Sequence, residues 1–85
     1  MRIIFSRRAE KDFLKLNPLL RKRIGSKLQF YTHSPMPLGH AKPLINAAAG
    51  SYRYRIGDYR VVFDVNHDTI EILHIEHRRD VYKKR

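Results

Sequence analysis

The sequence predicts an α+β fold: a short N-terminal strand, a two-helix hairpin packed on an antiparallel β-meander, and a short basic C-terminal segment. Three observations carry that expectation. Apolar residues recur at spacings of three and four through the first third of the chain. The period then switches to two from residue 52 onward, and turn-forming residues separate the alternating runs. At 85 residues the chain is expected to form one domain, residues 1–85, so any function has to come from a single compact unit.

Each element follows from local chemistry. Ile3, Ile4 and Phe5 form a short β-prone run, and Ser6 is placed to accept a hydrogen bond from a free N–H of the turn that follows. Over residues 7–16, Ala9, Phe13 and Leu16 make one apolar stripe with charges between them, as a helix with one buried face requires. Asn17-Pro18 then supplies a cap and a residue preset for the first helical turn, and Leu20, Ile24, Leu28 and Tyr31 extend a second stripe. The exposed face of that second helix carries Arg21, Lys22, Arg23 and Lys27, either a solvated surface or a nucleic-acid contact. Residues 32–50 hold three Pro and two Gly without a sustained period and read as a long connection. Tyr52, Tyr54 and Ile56 alternate with Arg53 and Arg55; Tyr59, Val61, Phe63 and Val65 alternate with Arg60, Val62 and Asp64. Gly57-Asp58 suits a two-residue hairpin turn, and Asn66-His67-Asp68 marks the turn into a third strand over residues 69–75.

Charge narrows the partners. Lys and Arg total 18 against 8 acidic residues, a formal +10, which points to a polyanion and first of all to nucleic acid. The excess sits at the ends: nine basic and two acidic residues in 1–31, four and five in 32–76, five and one in 77–85. A membrane-surface role would need bulky apolar anchors on a basic helix, and the apolar stripes here are committed to a core. No Cys is present, which excludes disulfides, thiolate metal sites and thiol catalysis. Absence of a long apolar run and of a signal-peptide core leads to the expectation of a cytoplasmic protein.

The first hairpin carries the candidate site. A two-residue turn at Gly57-Asp58 sets Ile56 opposite Tyr59, Arg55 opposite Arg60 and Arg53 opposite Val62. The tyrosines and aliphatics then cover the helices, and Arg53, Arg55 and Arg60 share the other face. Like charges directly opposite destabilise a sheet, so the arrangement asks for an anion or a carboxylate. Arginine suits phosphate through its planar, permanently charged fork. The competing reading is a surface network in which Asp64, Glu71 or Glu76 neutralises the arginines. If His67-Asp68 also closes a two-residue turn, Glu71, Leu73, Ile75 and His77 fall on the arginine side; a longer turn would move the third strand. His74 is expected on the core side. His77 is singled out because an imidazole near that patch suits proton transfer near neutral pH. No histidine spacing calls for a metal or other cofactor, and none is expected.

Tyr52-Arg53-Tyr54-Arg55-Ile56-Gly57-Asp58-Tyr59-Arg60-Val61-Val62-Phe63, followed by His77-Arg78-Arg79-Asp80-Val81-Tyr82, resembles the RelE/ParE superfamily of toxins from type II toxin–antitoxin systems, in particular its RelE-like branch. The likeness extends more loosely to Ile4-Phe5-Ser6 and to residues 9–16, and spares only residues 32–50. It implies a ribosome-dependent, metal-independent endoribonuclease that cuts mRNA in the ribosomal A site and is restrained by a cognate antitoxin, RelB-like and acidic, in a hetero-oligomeric complex. It also implies attack by the 2′-OH, giving a 2′,3′-cyclic phosphate. By the same resemblance Arg60 matches the motif arginine, Arg53 and Arg55 match basic positions on the preceding strand, and Arg78 and Tyr82 match an arginine and a tyrosine near the C-terminus. The catalytic set is therefore Arg55, Arg60, His77, Arg78 and Tyr82, with Arg53, Arg79, Lys83, Arg21, Lys22, Arg23 and Lys27 as RNA contacts. Some relatives have lysines where Arg53 and Arg55 stand, and arginine is a poor proton carrier. This leaves His77 as first choice for general acid or base, Glu76 or Glu71 as alternative base and Tyr82 as alternative acid. Two other readings stay open: a ParE-like inhibitor of DNA gyrase without nuclease chemistry, and an inactive RNA-binding relative.

Overall fold

The computed structural model describes residues 1–45 and 50–79. Strand β1 (Arg2–Phe5) leads through Ser6 into helix α1 (Arg7–Leu14), which is followed by the longer α2 (Pro18–His33). Both caps act as the sequence implies: Ser6 Oγ accepts from the N–H of Ala9 at 3.0 Å, and Asn17 Oδ1 accepts from that of Leu20 at 2.9 Å. A 3₁₀ turn over Pro37–His40 and a three-residue strand β2 (Ala41–Pro43) follow, then β3 (Tyr52–Ile56), β4 (Tyr59–Asn66) and β5 (Thr69–His77).

The α+β class and the hairpin-on-sheet architecture are as the sequence predicts, and the sheet is larger than the expected meander. It has five strands in the order β1-β5-β4-β3-β2, with β1 parallel to β5 and the remaining pairs antiparallel. The segment read as pure connection thus contributes an edge strand. β2 is too short to show a period, and its Pro43 is tolerated because an edge strand leaves one N–H side unpaired.

One sheet face meets the helices. Ala9, Ile24 and Leu28 pack there against Tyr54, Ile56, Val61, Phe63, Ile70, Ile72 and Ile75, all of them buried. Tyr54 and Phe63 stack at 4.6 Å between centroids, and the Tyr54 hydroxyl donates to the Pro37 carbonyl at 2.9 Å, which ties the 3₁₀ turn to the core.

The decisive irregularity is in β5. Its register with β4 runs regularly from Asn66↔Thr69 to Phe63↔Ile72, then skips Leu73 so that Val62 faces His74 and Arg60 faces Glu76. One inserted residue is a β-bulge, and it turns every later side chain to the opposite face. The start of α1 holds the bulge: Ser6 Oγ donates to the Leu73 carbonyl at 2.8 Å, and Asp12 Oδ2 accepts from the N–H of Ile75 at 3.0 Å, beyond the end of β1. Side chains thereby satisfy edge groups that the ended strand no longer reaches.

Candidate nucleic-acid interface

The first hairpin has the register derived from Gly57-Asp58: Arg53↔Val62, Arg55↔Arg60, Ile56↔Tyr59, with Gly57 at φ 59. Arg53, Arg55 and Arg60 therefore share the face away from the helices. The ladder continues across the sheet in two adjacent rows on that face. One runs Lys42, Arg53, Val62, His74; the other runs Arg55, Arg60, Glu76. Lys42 is exposed and was missed from the sequence, because β2 lies in a segment without a period. The sequence alone puts His74 on the core side, and the bulge brings it to the arginine side.

Arg55 is exposed and Arg53 half-buried. Arg60 is the structured member of the group: its Nη2 lies 3.0 Å from Glu76 Oε2, the side chains being 31% and 12% exposed. Oε1 of the same carboxylate lies 3.0 Å from His74 Nδ1. The approach of His74 lacks hydrogen-bond alignment, and both its Nδ1 and Arg60 Nε are buried without a hydrogen-bond partner among the described residues. Of the three carboxylates proposed as neutralisers, Glu76 alone pairs with an arginine there. Asp64 Oδ1 is taken by the N–H and the hydroxyl of Ser51, both at 2.8 Å, and Glu71 stands opposite Asp64. Among the described residues Lys42, Arg53, Arg55 and Arg60 thus share a single carboxylate in these rows, which leaves an excess of positive charge of the kind that favours oxyanions.

His77 is not on the arginine face. The bulge places it opposite Tyr59 on the helix side, its ring edge-on to that tyrosine at 5.0 Å, and Ile75 moves with it into the core. Its Nδ1 accepts from the N–H of Arg79 at 3.0 Å, so His77 caps the helical turn begun by Arg78 and Arg79. The N–H of Arg78 donates to the Asp58 carbonyl at 2.7 Å, which fastens this turn to the β3–β4 loop beside the Arg55–Arg60 row. Both arginines are exposed. Tyr82 and Lys83 lie outside the described residues. The signal for the bulge is in the sequence: the apolar phase changes from Ile70 and Ile72 to Ile75, as a single inserted residue requires.

The α2 cations separate. Arg23 reaches the turn end of the sheet, where a Cβ on Gly57 would stand 3.5 Å from its Nη2. Arg21 Nη1 donates to the Leu14 carbonyl at 3.4 Å and links the helices, while Lys22 and Lys27 are exposed, the latter with Nζ 5.8 Å from the Phe30 ring centre. Among the described residues no three His, Asp or Glu side chains group as metal ligands, and no helix is long and apolar enough to cross a membrane.

A two-helix hairpin on a five-stranded mixed sheet, with a cationic outer face, defines a small basic α+β protein whose surface charge suits oxyanions. Comparison with known proteins makes the class specific. Residues 3–82 match the family described as ParE toxin of type II toxin–antitoxin system. Toxin RelG of Mycobacterium tuberculosis is 34% identical over 82 residues, covering 94% of this chain and 93% of the relative. Toxin RelE3 of Methanocaldococcus jannaschii is 32% identical over 85 residues, covering 96% of each. In the solved toxin–antitoxin complex RelBE2 of Mycobacterium tuberculosis, a chain with 32% identity superposes with a TM-score of 0.74 over 91% of this chain and 90% of that one. The chain belongs to the RelE/ParE superfamily and is a toxin of the type II toxin–antitoxin class.

Proposed function

We propose that this toxin is a ribosome-dependent, metal-independent endoribonuclease that cleaves mRNA in the ribosomal A site and thereby stops translation in the cytoplasm. The observation that carries the reading is the pairing of Arg60 with Arg55 across one hairpin, next to Lys42 and Arg53 and, among the described residues, opposed by Glu76 alone. In cleavage by this route the 2′-hydroxyl gives its proton to a base as its oxygen attacks phosphorus, the P–O5′ bond breaks, and the departing 5′-oxygen takes a proton from an acid, leaving a 2′,3′-cyclic phosphate and a 5′-OH. Negative charge builds on the phosphoryl oxygens, and preorganised donors aimed at it typically contribute about 10²–10³ in rate each. Arg60 and Arg55 are placed for that role. Lys42, Arg53, Arg78, Arg79 and Arg23 border the same end of the sheet and suit contacts to flanking phosphates. Lys22 and Lys27 suit more distant ones, and Arg21 contributes through its helix link. The family resemblance adds Tyr82 as a stacking or proton-donating group and Lys83 as a further contact. His77, turned to the other face, acts by launching Arg78 and Arg79, a supporting role in place of the proton transfer that the sequence suggests.

The partner that restrains such a toxin is an acidic, RelB-like antitoxin, consistent with the excess of basic residues and with solved relatives captured as toxin–antitoxin complexes. The test is cleavage of mRNA in a purified translation system with naked RNA as control, mapping cut sites and end groups. Ribosome-dependent cuts ending in a 2′,3′-cyclic phosphate, reduced at least about 100-fold in Arg60→Ala, are the expected result. A well-folded wild type that cuts nothing while blocking DNA supercoiling by gyrase would replace this reading with the ParE-like one.

A further inference from the structure

Arg60 does not face solvent alone. Glu76 holds it with Oε2 and touches His74 with Oε1, each at 3.0 Å, so one carboxylate serves a permanent cation and a ring whose charge depends on pH. His74 is enclosed, its side chain 9% exposed, and charged groups surround it on three elements: Glu76 on β5, Arg60 on β4, Arg8 and Asp12 on α1. Burial lowers the proton affinity of the imidazole below its ordinary value; Glu76 pulls it back up, Arg8 down, Asp12 up and Arg60 down. At neutral pH the ring is therefore uncharged, and the charge of Glu76 is committed to Arg60. The two buried nitrogens without aligned partners, Arg60 Nε and His74 Nδ1, flank this carboxylate. Such groups are normally hydrogen-bonded in a settled network. Here the carboxylate stands between two partners, neither of which is fully satisfied.

We propose that oxyanion binding at Arg60 and protonation of His74 are coupled through Glu76, which passes from Arg60 to His74 as an RNA phosphate takes its place. Before binding, the pair is Arg60⁺ with Glu76⁻ beside a neutral ring. Afterwards Arg60⁺ faces the phosphate, and Glu76⁻ faces a His74 that has taken one proton from solvent. Glu76 and His74 are positioning residues in this scheme, acting on the RNA through Arg60. The inference rests on the phosphate-binding reading of the face and does not involve the ribosome. Linkage makes it reciprocal: if protonation of His74 tightens phosphate binding tenfold, phosphate raises the His74 titration midpoint by about one pH unit.

The experiment is a histidine titration by NMR on the full chain, with and without a tetradeoxythymidylate that lacks terminal phosphates. That probe carries phosphodiesters that do not titrate in the range and no 2′-OH to be cut. The missing signal in His74→Gln assigns the resonance. Free protein is expected to show His74 titrating below the ordinary imidazole value, the probe to move its midpoint upward, and probe affinity to rise several-fold from pH 7.5 to pH 5.5. In Glu76→Gln the midpoint shift and the pH dependence of affinity are expected to shrink, while affinity at pH 7.5 rises because Arg60 is already free. A His74 midpoint unmoved by saturating probe would overturn the proposal, and the wild-type titration alone suffices for that if Glu76→Gln folds poorly. A shift of equal size in well-folded Glu76→Gln would overturn it too, by assigning the effect to direct contact between phosphate and ring. Coupling without mRNA cleavage would remove the nuclease reading alone; cleavage without coupling would remove this one alone.

Discussion

Separating what Arg60 does for the fold from its proposed role toward RNA requires a double-mutant cycle with Glu76. At 3.0 Å and an effective dielectric constant of about 20, the gross attraction of the pair is about 5 kcal/mol. Most of that is offset by desolvation, and Arg60 keeps 31% of its side chain exposed, where solvent screens it. A net coupling of about 1–2 kcal/mol is expected, above a typical surface pair and below a fully buried one. Arg60→Ala leaves a carboxylate that is 12% exposed facing only His74, and should destabilise the protein by about 2 kcal/mol. Glu76→Gln in the same chain should recover about half of that loss, since the uncompensated charge is gone. Urea unfolding of the four proteins, read by circular dichroism, gives the coupling directly. The cleavage assay run on the same four should behave differently: Arg60→Ala loses at least about 100-fold, and adding Glu76→Gln restores none of it. A coupling below about 0.3 kcal/mol would refute the claim that Glu76 holds Arg60. Recovery of cleavage in the double variant would refute the claim that Arg60 touches the phosphate.

Three further outcomes follow from the packing. Gly50 sits at φ 142 with a Cβ position 2.5 Å from Val62 Cγ1 and 3.1 Å from Leu73 Cδ1, so Gly50→Ala should cost about 2–3 kcal/mol and lower Tm by roughly 10–20 °C. Gly25→Ala, where a Cβ meets nothing within 4 Å, is the control and should stabilise α2 by up to about 1 kcal/mol. Burial, with Tyr31 adding to it, pushes the Tyr54 hydroxyl up to about 12 from 10.0. The folded state thus keeps a proton that the unfolded chain releases first, and stability should fall above pH 10, by roughly 1 kcal/mol at pH 11, with the loss levelling off beyond pH 12. Tyr54→Phe should show a shallower alkaline limb in urea unfolding between pH 9 and 11; an unchanged limb would contradict the assignment. His77→Ala removes the cap on Arg79 and the ring contact with Tyr59, and should cost about 1 kcal/mol in unfolding while slowing cleavage by much less than Arg60→Ala does. A loss equal to that of Arg60→Ala would return His77 to the reacting atoms.

Local rules were enough for the parts of the fold that local chemistry decides. Ser6 and Asn17 announce the helix starts because capping involves neighbours three residues away. Gly57-Asp58 fixes Arg55 against Arg60 because a two-residue turn leaves the register no freedom. What stayed hidden depends on distant partners. The parallel pairing of β1 with β5 joins residues more than sixty positions apart, and β2 exists only because β3 offers it an edge. Lys42 was lost with β2, as a cation placed by pairing and not by pattern.

The bulge at Leu73 marks the point where a small misreading of the sequence changes the chemistry of the site. Continued without it, the register from Phe63↔Ile72 would set Ile75 against Arg60 and leave Glu76 facing Tyr59. The arginines would then meet an aliphatic side chain, and a carboxylate and an imidazole would enter the apolar core at a cost of several kcal/mol. Burial of apolar groups therefore favours the bulged register, with Ile75 in the core and His74 and Glu76 on the opposite face. Ser6 and Asp12 hold that choice through the Leu73 carbonyl and the Ile75 N–H. The contacts that join α1 to the sheet are thus the ones that deliver Glu76 to Arg60. The same shift sends His77 to the other face, where it starts the turn carrying Arg78 and Arg79. One inserted residue decides at both ends of the candidate site which groups stand on the arginine face, so the proposed RNA contact depends on the phase of β5 as much as on the arginines themselves.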